Sequence, residues 1–564
     1  MFRFGKTVKD PLADSKTAER WLAGFPANDP LAMHAALLAG LGRLGEREAK
    51  RTPARLEAVF HVDAHTDALR KMLTAQYLEH GNRSSRVESQ LWQALFDLAQ
   101  GLLLCYQAFA REVTDHAQSN KWQSLLPELL TRQIIHHGLD AKVRLFRYEQ
   151  WIPAKWSDLH ALFQMACSAQ IERQPVAALP GGGLTTIEQE YLRVLALQLM
   201  NAGNLTPRHL EWVSEQLSEW CAPLRLNIEA STVTSFYVDL GARGGLKRRG
   251  PQPLEGRVLF LDTRPLHAVL MQNVVMLDQK MRSNPLSERT PKRAEQLDLL
   301  IKLASQVDPE FKPLARRGER TSAEGSVDAI IGFTKIASFL RDDEMLPFIE
   351  GRRTAGTFGD TVEIATFGRM RNDQVRTLEM ARRRLANYAA PGGAWEIRDV
   401  SQTGFRLVAP MSVINAVTLG TLSAIRPQNQ TLWTLGIVRR MKRLTTERAE
   451  IGLQIIANNL VGVELQEPRR NEGEDYSVDG ETPTVTSRRF NGLFLSMQKR
   501  ENEPIVQTLV VPPGEYQPGK RLNMSVGHSS RRIAFGRVLE QHPDWVWATV
   551  ESVEAAPRAA AAAT

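Results

Sequence analysis

A short polar motif, Asp399-Val-Ser401-Gln-Thr-Gly404, lies between two apolar stretches in the last third of the chain. On an extended chain Asp399 and Ser401 face the same side, because alternate side chains share a face. A carboxylate and a hydroxyl on one face can accept hydrogen bonds from the ring N–H and the amino group of a guanine base. Gly404 lets the backbone turn and approach another strand closely. The motif therefore predicts a turn that can bind a guanine edge, and a β-turn capped by the Asp and Ser side chains is the alternative.

Three consecutive arginines, Arg382, Arg383 and Arg384, precede this motif. Guanidinium groups bind phosphate oxygens or the O6/N7 edge of guanine through paired hydrogen bonds, and their flat faces stack on bases. Together with the polar turn, the arginines suit a ligand that contains both guanines and phosphates. The alternative is a solvated helix end, because residues 374–388 have a helical pattern and cations stabilise a helix C-terminus.

Strands must position these residues. β-Branched and apolar runs separated by turn residues occur at the spacing of a small antiparallel barrel. The predicted strands are Trp395–Ile397, Phe405–Val408, Thr418–Ile425, Leu432–Arg439 and Ala449–Ala457.

The order of these motifs resembles the PilZ family of cyclic di-GMP receptors over about residues 376–463. DVSQTG is similar to the family's D/NxSxxG turn, and WTLGIVRRM and AEIGLQI are similar to two of its later strands. The family's arginine pattern is RxxxR, and this chain departs from it at Ala386, four residues after Arg382.

The resemblance implies a barrel that binds cyclic di-GMP. In that site Asp399, Ser401 and Gly404 would hold a guanine edge and shape the turn. The phosphate and base contacts would come from Arg382, Arg383 and Arg384.

The rest of the chain predicts a multidomain α+β protein with a helical N-terminal bundle or solenoid, a mixed middle region and C-terminal antiparallel β-barrels. Apolar residues at helical spacing dominate the first part, and the mixed region includes a helix predicted over Val327–Leu340. The predicted order is a helical domain (1–221), a mixed α/β region (222–345), a PilZ-like barrel with its N-terminal arginine segment (346–463), an acidic linker or loop (464–487), a second β-rich module (488–553) and a disordered tail (554–564).

Composition narrows the class of protein. The three cysteines stand far apart with no CxxC pairing, which favours a reducing compartment over a disulfide framework or a zinc site. We find no signal peptide and no apolar run of about 18 residues, so we expect a cytoplasmic protein without membrane insertion. The net charge of +8 on 564 residues is mild, and the basic stretches lack interleaved aromatics, so nucleic acid is an unlikely partner.

Two histidine motifs have ordinary explanations. His61-x-Asp63-x-His65-x-Asp67 lacks the third ligand and the glutamate of a helical metal site, and we interpret it as a helix surface. His136-His137-Gly138 has the pattern of a helix C-terminus, where histidine favours the dipole and glycine the left-handed cap.

No catalytic motif or cofactor signature occurs, so the sequence predicts a non-enzymatic effector rather than an enzyme. The expected function is to bind cyclic di-GMP and to relay this signal to an unidentified protein partner. The alternative is a PilZ-like protein that no longer binds nucleotide and serves as a docking scaffold.

Overall fold

The structure is a computed structural model, and the chain forms two compact units, Met1–Pro313 and Leu314–Thr564. The residues that it describes are 10–25, 29–45, 50–80, 85–115, 119–178, 183–200, 205–231, 234–250, 254, 256–283, 291–310, 321–322, 324–349, 394–414, 417–428, 432–458, 460–467, 488–497, 506–526 and 529–553. The arginine segment Arg382–Arg384 and the predicted disordered tail lie outside these residues, as does most of the predicted acidic linker.

The first unit begins with a run of helices around one apolar core. Their bounds are α1 (Ser15–Leu22), α2 (Pro30–Gly45), α3 (Pro53–His80), α4 (Ser85–Asp115), α5 (Asn120–Phe146), α6 (Pro153–Ser168), α7 (Ile187–Met200) and α8 (Pro207–Trp220). Residues three or four apart lie on one helix face, and on α4 the buried face includes Leu91, Leu95, Leu98 and Leu102.

Within the described residues, a small antiparallel sheet and two further helices follow in this unit. The strands are β1 (Leu226–Asn227), β2 (Phe236–Asp239), β3 (Lys247–Arg248) and β4 (Val258–Leu261), in the order β1-β4-β2-β3. Helices α9 (Arg264–Ser283) and α10 (Pro291–Val307) follow, and their apolar side chains join the same core.

Both interpretations of the histidine motifs need correction. His136 and His137 are fully buried within α5, which continues to Phe146, so the helix does not end at Gly138. Asp63 is also fully buried rather than on a helix surface, and its carboxylate accepts a hydrogen bond from Tyr106 Oη at 2.7 Å.

Two basic side chains complete the surroundings of Asp63. Arg132 Nη1 and His136 Nε2 each lie 3.0 Å from its carboxylate. Burial acts to raise the pKa of Asp63, but His136, Arg132 and Arg70 outweigh it and lower the pKa below its usual range. A buried carboxylate is tolerated here because partners surround it.

A first closed barrel opens the second unit. Its strands are β6 (Ser326–Ile331), β7 (Trp395–Ser401), β8 (Gly404–Pro410), β9 (Leu422–Pro427), β10 (Thr434–Arg443) and β11 (Arg448–Ala457). Each strand pairs antiparallel with its neighbours in the ring β6-β7-β8-β11-β10-β9, and β9 returns to β6. A short strand β5 (Thr321–Ser322) pairs with the end of β7, and α12 (Met411–Ile414) follows β8.

The predicted helix over Val327–Leu340 is wrong in its first half. Ser326–Ile331 is strand β6, and helix α11 (Phe333–Ile349) begins only after Gly332, whose φ is +88°. A short apolar run fits a buried strand as well as a buried helix, and here pairing with β7 and β9 decides the outcome. The barrel thus takes its first strand from residues assigned to the mixed region.

A second closed barrel follows directly. Its strands are β12 (Leu460–Gln466), β13 (Arg489–Met497), β14 (Val506–Val511), β15 (Arg521–Val526), β16 (Ser529–His542) and β17 (Trp545–Ser552). They form the antiparallel ring β12-β13-β14-β17-β16-β15. When each barrel's strands are numbered from one to six along the chain, both rings have the order 1-2-3-6-5-4. The two barrels therefore share one topology, although β13–β14 contains no DxSxxG motif.

Helix α11 packs between the two barrels. Its buried Phe333, Ile336 and Leu340 belong to a core that also contains side chains from both barrels. A Cβ at Gly462 on β12 would lie 2.8 Å from the carbonyl carbon of Leu340, so this strand needs glycine where the helix backbone approaches it. Among the described residues, no helix is long and apolar enough to span a membrane.

Candidate functional site

The predicted polar turn is a two-residue β-hairpin. Gln402 and Thr403 form the turn between β7 and β8, and Ser401 pairs with Gly404 directly behind it. Ser401 Oγ donates a hydrogen bond to the Gly404 carbonyl at 3.2 Å. The Thr403 carbonyl accepts from the Ile455 amide at 2.9 Å, which holds the turn against β11.

Gly404 is required by a close approach of two backbones. A Cβ at this position would fall well inside van der Waals contact with the carbonyl oxygen of Leu453 on β11. A backbone oxygen within a paired strand cannot move aside cheaply, so only glycine fits here. Gly404 is therefore required by the pairing of β8 with β11, whereas the turn itself is formed by Gln402 and Thr403.

Asp399 faces an arginine that the sequence analysis missed. In the hairpin register Asp399 pairs with Arg406, and Arg406 Nε lies 3.0 Å from its carboxylate. The signal was present in the sequence, because a two-residue turn that pairs Ser401 with Gly404 also pairs Asp399 with Arg406.

The hairpin leaves acceptors available for a ligand. The hydroxyl proton of Ser401 is directed to the Gly404 carbonyl, so the lone pairs of its oxygen remain able to accept hydrogen bonds. The Asp399 carboxylate has about four lone-pair sites and can accept several hydrogen bonds at once. Both side chains are partly accessible. Two acceptors on one strand face match the adjacent ring N–H and amino donors of a guanine edge.

An arginine on the neighbouring strand β10 lies beside this face of the hairpin. Arg439 on β10 donates from Nε to the side-chain oxygen of Gln454 at 2.8 Å, and Gln454 pairs with Gly404 across the sheet. Both terminal nitrogens of Arg439 lie 2.6 Å from the carboxylate oxygens of Glu540 in the second barrel. Arg439 thus links the hairpin face to the neighbouring barrel.

Glu540 is held ionised by two partners. His542 Nε2 lies 2.7 Å from Oε1 of the carboxylate, the oxygen that Arg439 Nη1 also contacts. Burial acts to raise the pKa of Glu540, but the hydrogen bonds from His542 and Arg439 outweigh it and lower the pKa to about 2. In the same junction, Trp545 Nε1 donates to the Gly420 carbonyl at 3.1 Å.

The structure brings Asp399, Ser401 and Gly404 together on one hairpin. It does not place Arg382, Arg383 or Arg384, which lie outside the described residues. Within the part of the chain that the structure describes, no group of three or more His, Cys, Asp or Glu side chains could hold a metal ion.

Comparisons with known proteins give two family matches. Residues 361–460 match the family model of the middle PilZ domain of the cyclic-di-GMP receptor FimW, so the predicted resemblance to the PilZ family is confirmed. Residues 16–231 match the model of the N-terminal domain of the same receptor. The predicted fold class, a helical N-terminal part followed by β-barrels, is confirmed as well.

A relative of known function is the cyclic-di-GMP receptor FimW of Pseudomonas aeruginosa. It is 21% identical over 419 residues, and the match covers 68% of this chain and 65% of the relative. The chain thus spans slightly less than two thirds of the length of this relative.

Proposed function

We propose that this chain is a non-enzymatic, cytoplasmic receptor that binds cyclic di-GMP on the outer face of the β7–β8 hairpin and relays the signal to a protein partner. The observation that supports it best is the placement of Asp399 and Ser401 on one face of β7, beside Gly404, whose lack of a Cβ allows β11 to approach closely. The two family models that match this chain both describe parts of a cyclic-di-GMP receptor, which supports the same ligand.

The ligand contacts follow from donor and acceptor chemistry. The Asp399 carboxylate and the Ser401 hydroxyl accept from the ring N–H and the amino group of one guanine. Arg382, Arg383 and Arg384 supply phosphate and base contacts, as the resemblance implies. A ligand with two guanines and two phosphates uses both sets of groups, whereas GTP offers one guanine.

The relay begins at Arg439. This side chain contacts Gln454 beside the hairpin and Glu540 in the second barrel, so a ligand at the hairpin lies next to a contact between the barrels. A change at this contact can alter the surface that the second unit presents to a partner.

A second candidate function is a docking scaffold that has lost the nucleotide. Ala386 favours it, because this residue stands where the RxxxR pattern of the family has its second arginine. The scaffold would keep both barrels and their junction without a need for the acceptors of Asp399 and Ser401.

Equilibrium dialysis of the wild type and two aspartate variants tests both candidates, because a scaffold that has lost the nucleotide retains no cyclic di-GMP in any of the three. Asp399→Ala removes a charge-assisted hydrogen bond to guanine and should weaken binding by about 1.5–3 kcal/mol, which is roughly 10- to 150-fold in Kd. The matched control is Asp328→Ala, because Asp328 pairs with Arg426 at 2.8 Å across β6 and β9 of the same barrel. Equal retention of cyclic di-GMP by both folded variants and the wild type would show that the hairpin is not the site.

A further inference from the structure

Four residues lie in one row across the outer face of the first barrel. Asp399 on β7 pairs with Arg406 on β8, Arg406 pairs with Gly452 on β11, and Gly452 pairs with Arg440 on β10. Neighbouring strands are about 4.8 Å apart, so the Cα atoms of Arg406 and Arg440 are roughly 10 Å apart with Gly452 between them. The row begins at Asp399, the proposed guanine acceptor, and ends at an arginine.

The glycine in this row leaves space between the two arginines. A Cβ at Gly452 would lie 3.1 Å from the Cβ of Arg440, so position 452 faces the same side of the sheet as the stem of Arg440. Any side chain at this position would occupy the space above the strand. Its absence leaves a shallow gap between the positions of Arg406 and Arg440 on the neighbouring strands.

The two arginines differ in their existing partners. Arg406 contacts Asp399 at 3.0 Å and lies 4.0 Å from Glu450. Arg440 is exposed, and within the described part of the chain its side chain has no hydrogen bond or ion pair. Its neighbour Arg439 is already held by Glu540.

A guanidinium without a described ion pair lies beside a guanidinium whose charge is only partly neutralised. Together they favour the binding of an anion. Along the same face Lys442 pairs with Glu450 in the strand register, so the cations exceed the carboxylates around the gap. A phosphate can accept from two arginine forks at once, and such charge-assisted hydrogen bonds are the stronger ones in proteins.

We propose that Arg440 and Arg406 bind a phosphate group of the nucleotide above Gly452, within the barrel itself and in addition to the predicted arginine segment. This inference rests on the proposed function, because the guanine held at Asp399 positions the phosphate over the gap. It also gives a role to Arg440 within the basic sequence Arg439–Arg443. Arg440 would then compensate in part for Ala386, where the RxxxR pattern lacks its second arginine.

Three variants of the full chain test the proposal by titration with cyclic di-GMP at two salt concentrations. Arg440→Gln should raise Kd roughly tenfold, equivalent to about 1.4 kcal/mol, and should reduce the dependence of Kd on salt because one phosphate-facing charge is lost. Arg440→Lys keeps the charge without the fork and should bind with intermediate affinity. The matched control is Arg521→Gln, an exposed arginine on β15 of the second barrel, and it should bind like the wild type.

The outcomes separate this inference from the proposed function. If the wild type binds and Asp399→Ala weakens binding while Arg440→Gln equals Arg521→Gln, the phosphate site is wrong and the guanine site stands. If the wild type does not bind, both are wrong. Thermal unfolding of each variant establishes that a loss of affinity is not a loss of fold, because Arg440 is exposed and should be replaceable with little change in stability.

Discussion

The contact of Glu540 with Arg439 and His542 should make the junction of the two barrels sensitive to acid. The pKa of Glu540 falls from 4.5 to about 2 in the folded chain. At 1.36 kcal/mol per unit, a shift of this size corresponds to about 3 kcal/mol. Arg439 is 38% exposed, so solvent screening reduces the expected contribution to about 1–2 kcal/mol.

The direction of the pH dependence of stability follows from the direction of the pKa shift of Glu540. A carboxylate whose folded pKa lies below its unfolded value stabilises the fold above about pH 4.5 and loses this effect as the pH falls towards 2. Between pH 7 and pH 3 the wild type should therefore lose about 1 kcal/mol more stability than Glu540→Gln, which has no carboxylate to protonate at this position.

Urea unfolding followed by tryptophan fluorescence measures this difference. Trp545 is a suitable reporter, because its ring lies 4.4 Å from the ring of His542 at the junction. Other carboxylates titrate equally in both proteins, so only the difference between them reports on Glu540. Identical losses of stability for wild type and Glu540→Gln would refute the assignment of the lowered pKa to this contact.

Three further predictions concern single side chains. Gly404→Ala should destabilise the second unit by about 1–3 kcal/mol, because its Cβ would collide with the Leu453 carbonyl, and differential scanning calorimetry should show a lower Tm. Asp399→Ala should change the stability of the folded chain by less than about 1 kcal/mol while it weakens ligand binding, because its ion pair is partly exposed; a large drop in Tm would contradict this. Asp63→Ala should cost about 3–5 kcal/mol in urea unfolding, because it leaves Arg132 buried without this partner; a change below 1 kcal/mol would contradict it.

The hairpin and its barrel could be predicted from sequence because their signals are local. A strand, a turn with a fixed glycine and a second strand follow one another within about twelve residues, so pattern alone places Asp399 and Ser401 on one face. The long amphipathic helices of the first unit have a similarly direct signal in their apolar period.

The strands that were predicted incorrectly pair with residues that are far away in the sequence. Ser326–Ile331 is separated from its partner β7 by more than sixty residues, and nothing within the segment distinguishes a buried strand from a helix. Glu464 and Gln466 were assigned to the acidic linker because they are polar, yet both lie on β12, where they pair with β13 and β15. A strand with one face towards solvent carries polar residues at alternate positions.

The buried polar cluster around Asp63 was predicted incorrectly for a different reason. Asp63 and His136 come from different helices and are 73 residues apart, so their pairing is set by helix packing. Sequence patterns treat each residue as surface or core by its own polarity, and a charged residue is almost never fully buried unless it is paired. The missed Arg406 is the exception, since the register of a two-residue hairpin predicts it.

Isothermal titration calorimetry of the full chain with cyclic di-GMP tests the central claim most directly. We expect saturable binding with a Kd in the micromolar range or tighter, and GTP at the same concentration should bind far more weakly because it offers a single guanine. An absence of heat with cyclic di-GMP at about 100 μM, about a hundred times a Kd of 1 μM, from a protein that melts cooperatively would contradict the account and favour the docking scaffold.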